Sequence, residues 1–299
     1  MSSYVAAMKC CTDEKKNQRW KHHYQSCIAQ FNDIVSVVMY GDSNITNYKH
    51  WSNKFGVPVA NFAYGGDRIE QCKYMVQKDC RPPATANIAI LQIGSNNISD
   101  VKEKVKDGCE NIANGIIEIC DSIKAIRPDI HIIVTAMFPG VGRPLKTISN
   151  INRLLSEKLC YLTNITFQKP PGMKPDDGKW LIRGSRNQPL PNPLMFKDDG
   201  IHFSDLGYNH FITYIQDMCE NDAAMPYILK PFQRDFTKPD PWSNLSICKA
   251  ELVSDDDQVC GLSKLNTGCT HTGTSLQQQL DDRWRHGDAH YRKKFFSQK

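Results

Sequence analysis

The chain has 299 residues, 40% of them hydrophobic and 23% charged, which is ordinary globular usage, argues against overall disorder and leaves room for a sizeable core. Its formal net charge of +5 at pH 7 is too mild for this length to imply a nucleic-acid or membrane partner by itself. Apolar runs such as 34–40, 86–93 and 131–138 fall far short of the ~20 residues that span a bilayer, so a soluble protein without a transmembrane segment is expected.

In chain order, residues 1–29 are expected to form a helical lead, 30–226 the main domain and 227–299 a largely irregular extension. The start, MSSYVAAMKCCTDEKKNQRW, has too short an apolar stretch for a secretory leader, so an intracellular setting is expected. The twelve cysteines, among them Cys72, Cys109, Cys120, Cys160 and Cys219 in helical stretches, then read as reduced, buried thiols and not as a disulfide framework.

Segment 33–40 (DIVSVVMY) is β-branched and almost continuously apolar until Gly-Asp-Ser-Asn stops it. Segments 57–63, 86–93 and 130–138 repeat the pattern, with a weaker one at 164–168. Such runs mark parallel strands covered by helices on both faces. Between them the pattern turns helical. Asp67-Arg68-Ile69-Glu70 has the form of a capping box, with Asp67 accepting from the first turn while Glu70 reaches back, so a helix is expected to begin there. Val101, Val105, Cys109, Ile112, Ile116, Cys120 and Ile123 recur every three or four residues, one face of a long amphipathic helix that ends before Pro128. Further helices fit 148–162 and the stretch after Ser204, a suitable N-cap. The alternation implies an α/β protein with an open, doubly wound, mainly five-stranded parallel sheet and its function at the carboxyl ends of the strands. The proline-rich excursion 169–196 breaks this rhythm, either to shape access to a site or as a passive insertion.

Four short motifs carry candidate chemistry. Gly41-Asp42-Ser43-Asn44 follows a buried strand, where a sharp turn lifts a serine hydroxyl to the top of the sheet; alone, it reads sooner as a simple strand-to-helix N-cap. In 61–67 (NFAYGGD), glycines at a strand-to-helix turn free backbone N–H groups to face an anion, although a plain βα turn has the same composition. In Gly94-Ser95-Asn96-Asn97 an amide can donate to an oxygen that gains negative charge in a transition state, or simply close an Asx turn. Asp199-Gly200-Ile201-His202 puts a base and a carboxylate to orient it on one loop, although a lone DxxH is common surface decoration. Three successive strand ends and the loop before the last helix converge on one crevice, which coincidence explains poorly.

This ordered set resembles the SGNH (GDSL-like) hydrolase family, whose blocks are a GDS turn, a glycine, a G-x-N element and a D-x-x-H element. The resemblance spans roughly residues 34–218. It is most similar to the branch that holds the catalytic subunits of the platelet-activating-factor acetylhydrolases, which also has a Gly-Gly-Asp turn and a Gly-x-Asn-Asn element. The resemblance implies a flavodoxin-like three-layer α/β/α fold and hydrolysis of carboxylic esters with short acyl groups, through a catalytic triad and an acyl-enzyme. Carried over motif by motif, it makes Ser43 the nucleophile, His202 the general base and Asp199 its orienting carboxylate. It also implies an oxyanion hole of the Ser43 and Gly66 backbone N–H groups with the Asn96 side chain, and no metal or organic cofactor. Asn44 stands where GDSL has leucine, and Asn97 where aspartate often follows; neither is a reacting position. The G-x-S-x-G elbow of the α/β-hydrolases is absent, because Ile45 occupies its second glycine.

Weaker signals flank this region. His22-His23 with Cys10-Cys11, and Cys248, Cys260, Cys269 and His271, are metal-ligand types at spacings unlike the common zinc patterns, so no metal site is assigned. The basic end 283–299 carries Arg283, Arg285, Arg292, Lys293, Lys294 and Lys299 among Trp284, Tyr291, Phe295 and Phe296. It reads as a solvated tail, or as a nucleic-acid contact in which aromatic rings stack on bases. The second reading keeps a rival function open: a catalytically idle binding module, or the esterase part of a retroelement-type, nucleic-acid-associated protein.

Overall fold

A computed structural model of the chain describes residues 34–221 except 79, 99–106, 141, 171–172, 174–178 and 185–187, together with 18, 22, 23, 25, 26 and 29. Most of the expected lead, the first residues of the helix expected from Val101, the four candidate zinc ligands of the tail and the basic end 283–299 lie outside the described residues.

Strands β1 (Val37–Gly41), β2 (Val59–Asn61), β3 (Ile88–Gln92), β4 (His131–Val134) and β5 (Ile165–Phe167) form one parallel sheet in the order β2-β1-β3-β4-β5. The helices are α1 (Ser43–Thr46), α2 (Trp51–Phe55), α3 (Ile69–Lys78), α4 (Gly108–Ile126), α5 (Leu145–Leu159) and α6 (Asp205–Asn221). From β1 the chain goes first to β2 on one side and then crosses to β3 on the other. The crevice between the carboxyl ends of β1 and β3 is therefore the topological switch point, where open α/β sheets bind ligands.

The sheet is apolar on both faces because successive side chains alternate between two cores. Val38, Tyr40, Ala89, Leu91, Ile132 and Val134 face a cluster completed by α3, α4 and α5. Val37, Met39, Ile88, Ile90 and Ile133 face the other, with α1, α2 and α6. Each fully buried aliphatic side chain contributes about 1.5–3 kcal/mol, so the strand runs in the sequence are also the main store of stability. On the outer layer, Gly115 lets α4 approach α3, since a Cβ there would lie 2.7 Å from Ile69 Cγ2.

Two helices depart from expectation at their ends: α5 lies three residues earlier than the 148–162 expected, and the start of α3 is capped differently. Ser204 caps α6 as read, its hydroxyl accepting the Gly207 N–H at 3.1 Å. The cap of α3, however, is not closed by Glu70. Helix α3 begins at Ile69, and Gln71 reaches back instead, its Oε1 accepting the Arg68 N–H at 2.8 Å. The Glu70 carboxylate is drawn away to Asn97 in the loop after β3.

The excursion is not a plain loop. It contains an antiparallel pair, β6 (Leu181–Arg183) and β7 (Pro189–Pro191), and buries Trp180 among Phe138, Phe196 and Phe203. An isolated antiparallel bridge between Phe196 and Phe203 then closes the base of the Asp199–His202 loop. The cysteine reading needs a correction. Cys72, Cys80, Cys120 and Cys219 are buried free thiols, but Cys109 is only partly covered and Cys160 is exposed, because it sits at the C-cap of α5, where the chain leaves the core.

Candidate active site

Gly41 ends β1 directly against Gln92 of β3, and the Asp42 N–H continues the ladder to the Gln92 carbonyl at 3.2 Å. Asp42 then caps α1, its Oδ1 accepting the Asn44 N–H at 3.1 Å. This turn leaves Ser43 half-buried at the helix start, while Asn44 and Ile45 point inward.

The second motif is tied to the first, since the Tyr64 N–H donates to the Gly41 carbonyl at 3.1 Å. A Cβ built on Gly65 would stand 3.8 Å from Ser43 Cβ, so the turn lies against the serine. Gly66 has φ +87°, a left-handed value that favours glycine, and the space around it is open. Among the described residues, no backbone carbonyl accepts from the Ser43 or Gly66 N–H.

The third motif reaches across to the second. Asn96 Nδ2 donates to the Asp67 carbonyl at 2.8 Å, and Asn97 Oδ1 accepts the Ile69 N–H at 3.1 Å. The fourth brings the imidazole. His202 Nε2 lies 2.9 Å from Ser43 Oγ, and His202 Nδ1 lies 2.6 Å from Asp199 Oδ2. The second Asp199 oxygen accepts the Ile201 and His202 N–H groups at 2.8 and 2.9 Å. The loop closes on itself through the Lys197 N–H to the His202 carbonyl at 2.8 Å, with Gly200 at φ 65°. Of the five residues singled out from the sequence, Ser43, His202 and Asp199 are joined by hydrogen bonds, while Gly66 follows the Gly65 that lies against the serine and Asn96 is bonded to the turn that carries Gly66.

The two carboxylates of the site are tuned in opposite directions. Burial alone would raise the Asp199 carboxyl, but the hydrogen bonds from the His202 ring and from the His202 and Ile201 N–H groups outweigh it and hold it below the usual value of 3.8. Burial pushes Asp42 up from the same value, against the Asn44 N–H, the Arg143 guanidinium, Ser95 and His202. A carboxylate that stays ionised beside an imidazole fixes its tautomer and stabilises the imidazolium.

Arg143 and Tyr208 were not foreseen. Arg143 favours the ionised form of Asp42, and Tyr208 feels the same field, since Asp42 and Asp199 help burial to raise its hydroxyl. The loop that carries Arg143 follows β4 and abuts the fourth motif, since a Cβ on Gly140 would meet the Gly200 carbonyl oxygen at 3.2 Å. The available signal was positional. A loop at the carboxyl end of β4 belongs to the same face of the sheet as the other three. Among the described residues, no group of three or more His, Cys, Asp or Glu side chains is placed to hold a metal ion.

A flavodoxin-like sheet with a serine, a histidine and an aspartate gathered at its switch point is the arrangement of the SGNH hydrolases. Comparison with known proteins points the same way. No protein-family model matches the chain. The alpha2 subunit of platelet-activating factor acetylhydrolase IB from Homo sapiens is 23% identical over 179 residues, which cover 57% of this chain and 75% of that protein. Its Gallus gallus counterpart is 23% identical over 172 residues, covering 55% of this chain and 72% of that one. A solved structure from Streptococcus pneumonia, provisionally named a platelet activating factor, has the same fold with a TM-score of 0.53 and 17% identity, covering 67% of this chain and 92% of that chain. Motif order, fold and these relatives support assignment of the chain to the SGNH (GDSL-like) hydrolase family. Among the described residues, no helix is long and apolar enough to cross a membrane.

Proposed function

We propose that the protein is a serine esterase that hydrolyses carboxylic esters, with its catalytic domain over 30–226. The observation that carries this reading is the unbroken chain from Ser43 Oγ to His202 Nε2 at 2.9 Å and from His202 Nδ1 to Asp199 Oδ2 at 2.6 Å. A serine hydroxyl is a weak nucleophile until a base removes its proton, and the base works only in the tautomer that its carboxylate partner holds.

In the proposed sequence, Ser43 Oγ bonds to the ester carbonyl carbon as His202 Nε2 takes its proton, while Asp199 keeps the Nδ1 proton and stabilises the imidazolium. The carbonyl oxygen becomes an oxyanion, which the Ser43 and Gly66 N–H groups and the Asn96 amide receive; one such donor is worth about 2.7–4 kcal/mol. Collapse breaks the bond to the alcohol oxygen, and the alcohol leaves with the proton returned by His202. Water then gives a proton to His202 as its hydroxide oxygen bonds to the acyl carbon; collapse breaks the bond to Ser43 Oγ, which takes the proton back from His202, and the acid is released. These steps ask for no metal or organic cofactor.

A short acyl group is the proposed preference, supported by relatives named as acetylhydrolases. An intracellular setting is proposed too, supported by the free thiols of Cys72, Cys80, Cys120 and Cys219. The test compares wild type with Ser43→Ala on p-nitrophenyl acetate, butyrate and octanoate. Wild type is expected to turn over all three with rates that fall with acyl length, and the variant to lose roughly 10⁴-fold or more. Equal turnover by the two proteins overturns the catalytic assignment.

A further inference from the structure

The loop after β3 also grips the first turn of α3, immediately after Gly66. Asn97 is 7% exposed and uses both ends of its amide there. Its Oδ1 accepts the Ile69 N–H at 3.1 Å, one of the first-turn donors that has no partner inside its own helix. Its Nδ2 donates to both oxygens of the Glu70 carboxylate, at 3.3 and 3.1 Å. Beside it, Asn96 Nδ2 holds the Asp67 carbonyl at 2.8 Å. Two neighbouring amides therefore pin Asp67, Ile69 and Glu70. Gly66, with φ +87° and open space where a side chain would stand, directly precedes this pinned segment and has no side chain of its own to hold it.

We propose that Asn97 is a positioning residue for the oxyanion donor at Gly66, with Glu70 as its partner; the proposal rests on the serine-esterase reading. The chemistry of the amide decides the matter. A side chain that must accept an N–H on one end and donate to a carboxylate on the other has to carry both an acceptor and a donor, and only an amide does so at this length. An aspartate at 97 keeps the acceptor but sets a second carboxylate against Glu70, and like charges at such a distance do not both ionise without cost. Of the charged groups nearby, Arg68 Nε lies 3.8 Å from Glu70 Oε2 on the same turn. On the packed helix α4, Glu118 and Glu110 are engaged by Lys73 at 2.6 Å and Lys158 at 3.2 Å. Arg68 softens the repulsion without supplying the donor that Asn97 provides.

The experiment uses the full chain as wild type, Asn97→Asp, Glu70→Gln and the double variant, assayed on p-nitrophenyl acetate from about pH 5 to about pH 9, with Ser43→Ala as the blank. Asn97→Asp is expected to lose activity progressively as pH rises, reaching about tenfold or more in kcat with KM within about twofold, since an oxyanion donor acts where charge develops. The double variant is expected to recover, because the amide introduced at position 70 donates to the carboxylate introduced at 97. A pH-independent Asn97→Asp with wild-type kcat, a loss confined to KM, or a double variant no better than Asn97→Asp overturns the inference. Should Asn97→Asp fail to fold, Glu70→Ala carries the test: a kcat reduced by about threefold or more at constant KM supports it, and an unchanged kcat overturns it. Wild type no more active than Ser43→Ala sinks the esterase reading itself, an outcome distinct from the failure of Asn97.

Discussion

Gly41→Ala tests how tightly the nucleophile is seated. A Cβ at this position would fall inside van der Waals contact of the Gln92 carbonyl oxygen and 2.9 Å from Ile45 Cγ1. Neither neighbour can yield cheaply. The carbonyl belongs to β3 and accepts the Asp42 N–H at 3.2 Å, and Ile45 is fully buried in α1. Relief requires β1 and β3 to part at their carboxyl ends, which costs about 1–3 kcal/mol for overpacking and about 0.5–1.5 kcal/mol for the strained ladder bond. Together this comes to about 1.5–4.5 kcal/mol, read from urea unfolding as a lower midpoint at unchanged slope. Ser43 is two residues further on, and a displacement of roughly 1 Å from its 2.9 Å contact with His202 costs about 10²-fold in kcat/KM. Gly65→Ala serves as the control, since its Cβ would stand at an ordinary 3.8 Å from Ser43 Cβ; its stability should change by less than ~0.5 kcal/mol. If Gly41→Ala were as stable as Gly65→Ala and fully active, the seating argument would be wrong.

Two further substitutions follow from buried polar groups. Asp42→Asn keeps the cap acceptor for the Asn44 N–H but removes a buried carboxyl whose folded value lies above the usual 3.8. A raised carboxyl stabilises the fold below its unfolded value and loses that contribution as pH rises through its folded value. The stability of the variant relative to wild type should therefore increase on going up from about pH 4, and urea midpoints that differ equally at every pH would contradict this. Tyr214→Phe removes a hydroxyl that donates to the Gln168 carbonyl at 2.5 Å and accepts the buried Ala136 N–H at 3.1 Å. It should cost about 1–3 kcal/mol in urea unfolding, and a loss under ~0.5 kcal/mol would show that these groups find other partners.

The sheet was legible because burial on both faces removes any alternation from the strands, so 33–40, 86–93 and 130–138 stand out as almost continuously apolar runs. Two of the strands, Ile88–Gln92 and His131–Val134, sit inside those runs, and Val37–Gly41 runs one residue past the first. Helices α1 and α2 were not legible: at four and five residues they are too short to show a period. The hairpin of β6 and β7 was hidden by its prolines, which suit an edge strand whose N–H groups need no partner. The α3 cap failed as a local reading because Glu70 and Gln71 can both reach back, and the choice between them is made by Asn97, far away in sequence. Arg143 and Tyr208 were missed for the same reason, since their bearing on Asp42 arises from packing and leaves no spacing pattern.

The site violates ordinary burial rules where its chemistry would need it to. Asp42 Oδ2, Asn44 Oδ1, Gln92 Oε1 and the Tyr208 hydroxyl are buried atoms without a hydrogen-bond partner among the described residues. Three of these residues belong to the nucleophile turn or the strand end beside it. An unsatisfied buried polar group costs about 1–3 kcal/mol, so this region opposes folding while the two apolar clusters on either side favour it. Such conflict between local groups and the global fold is concentrated at functional sites in natural proteins. A turn optimised for stability alone would carry apolar side chains at 42 and 44, but it would lose the cap on α1 that fixes the Ser43 backbone. The polar interior beneath Ser43 is thus intelligible only if holding that serine in place matters more than the stability forgone.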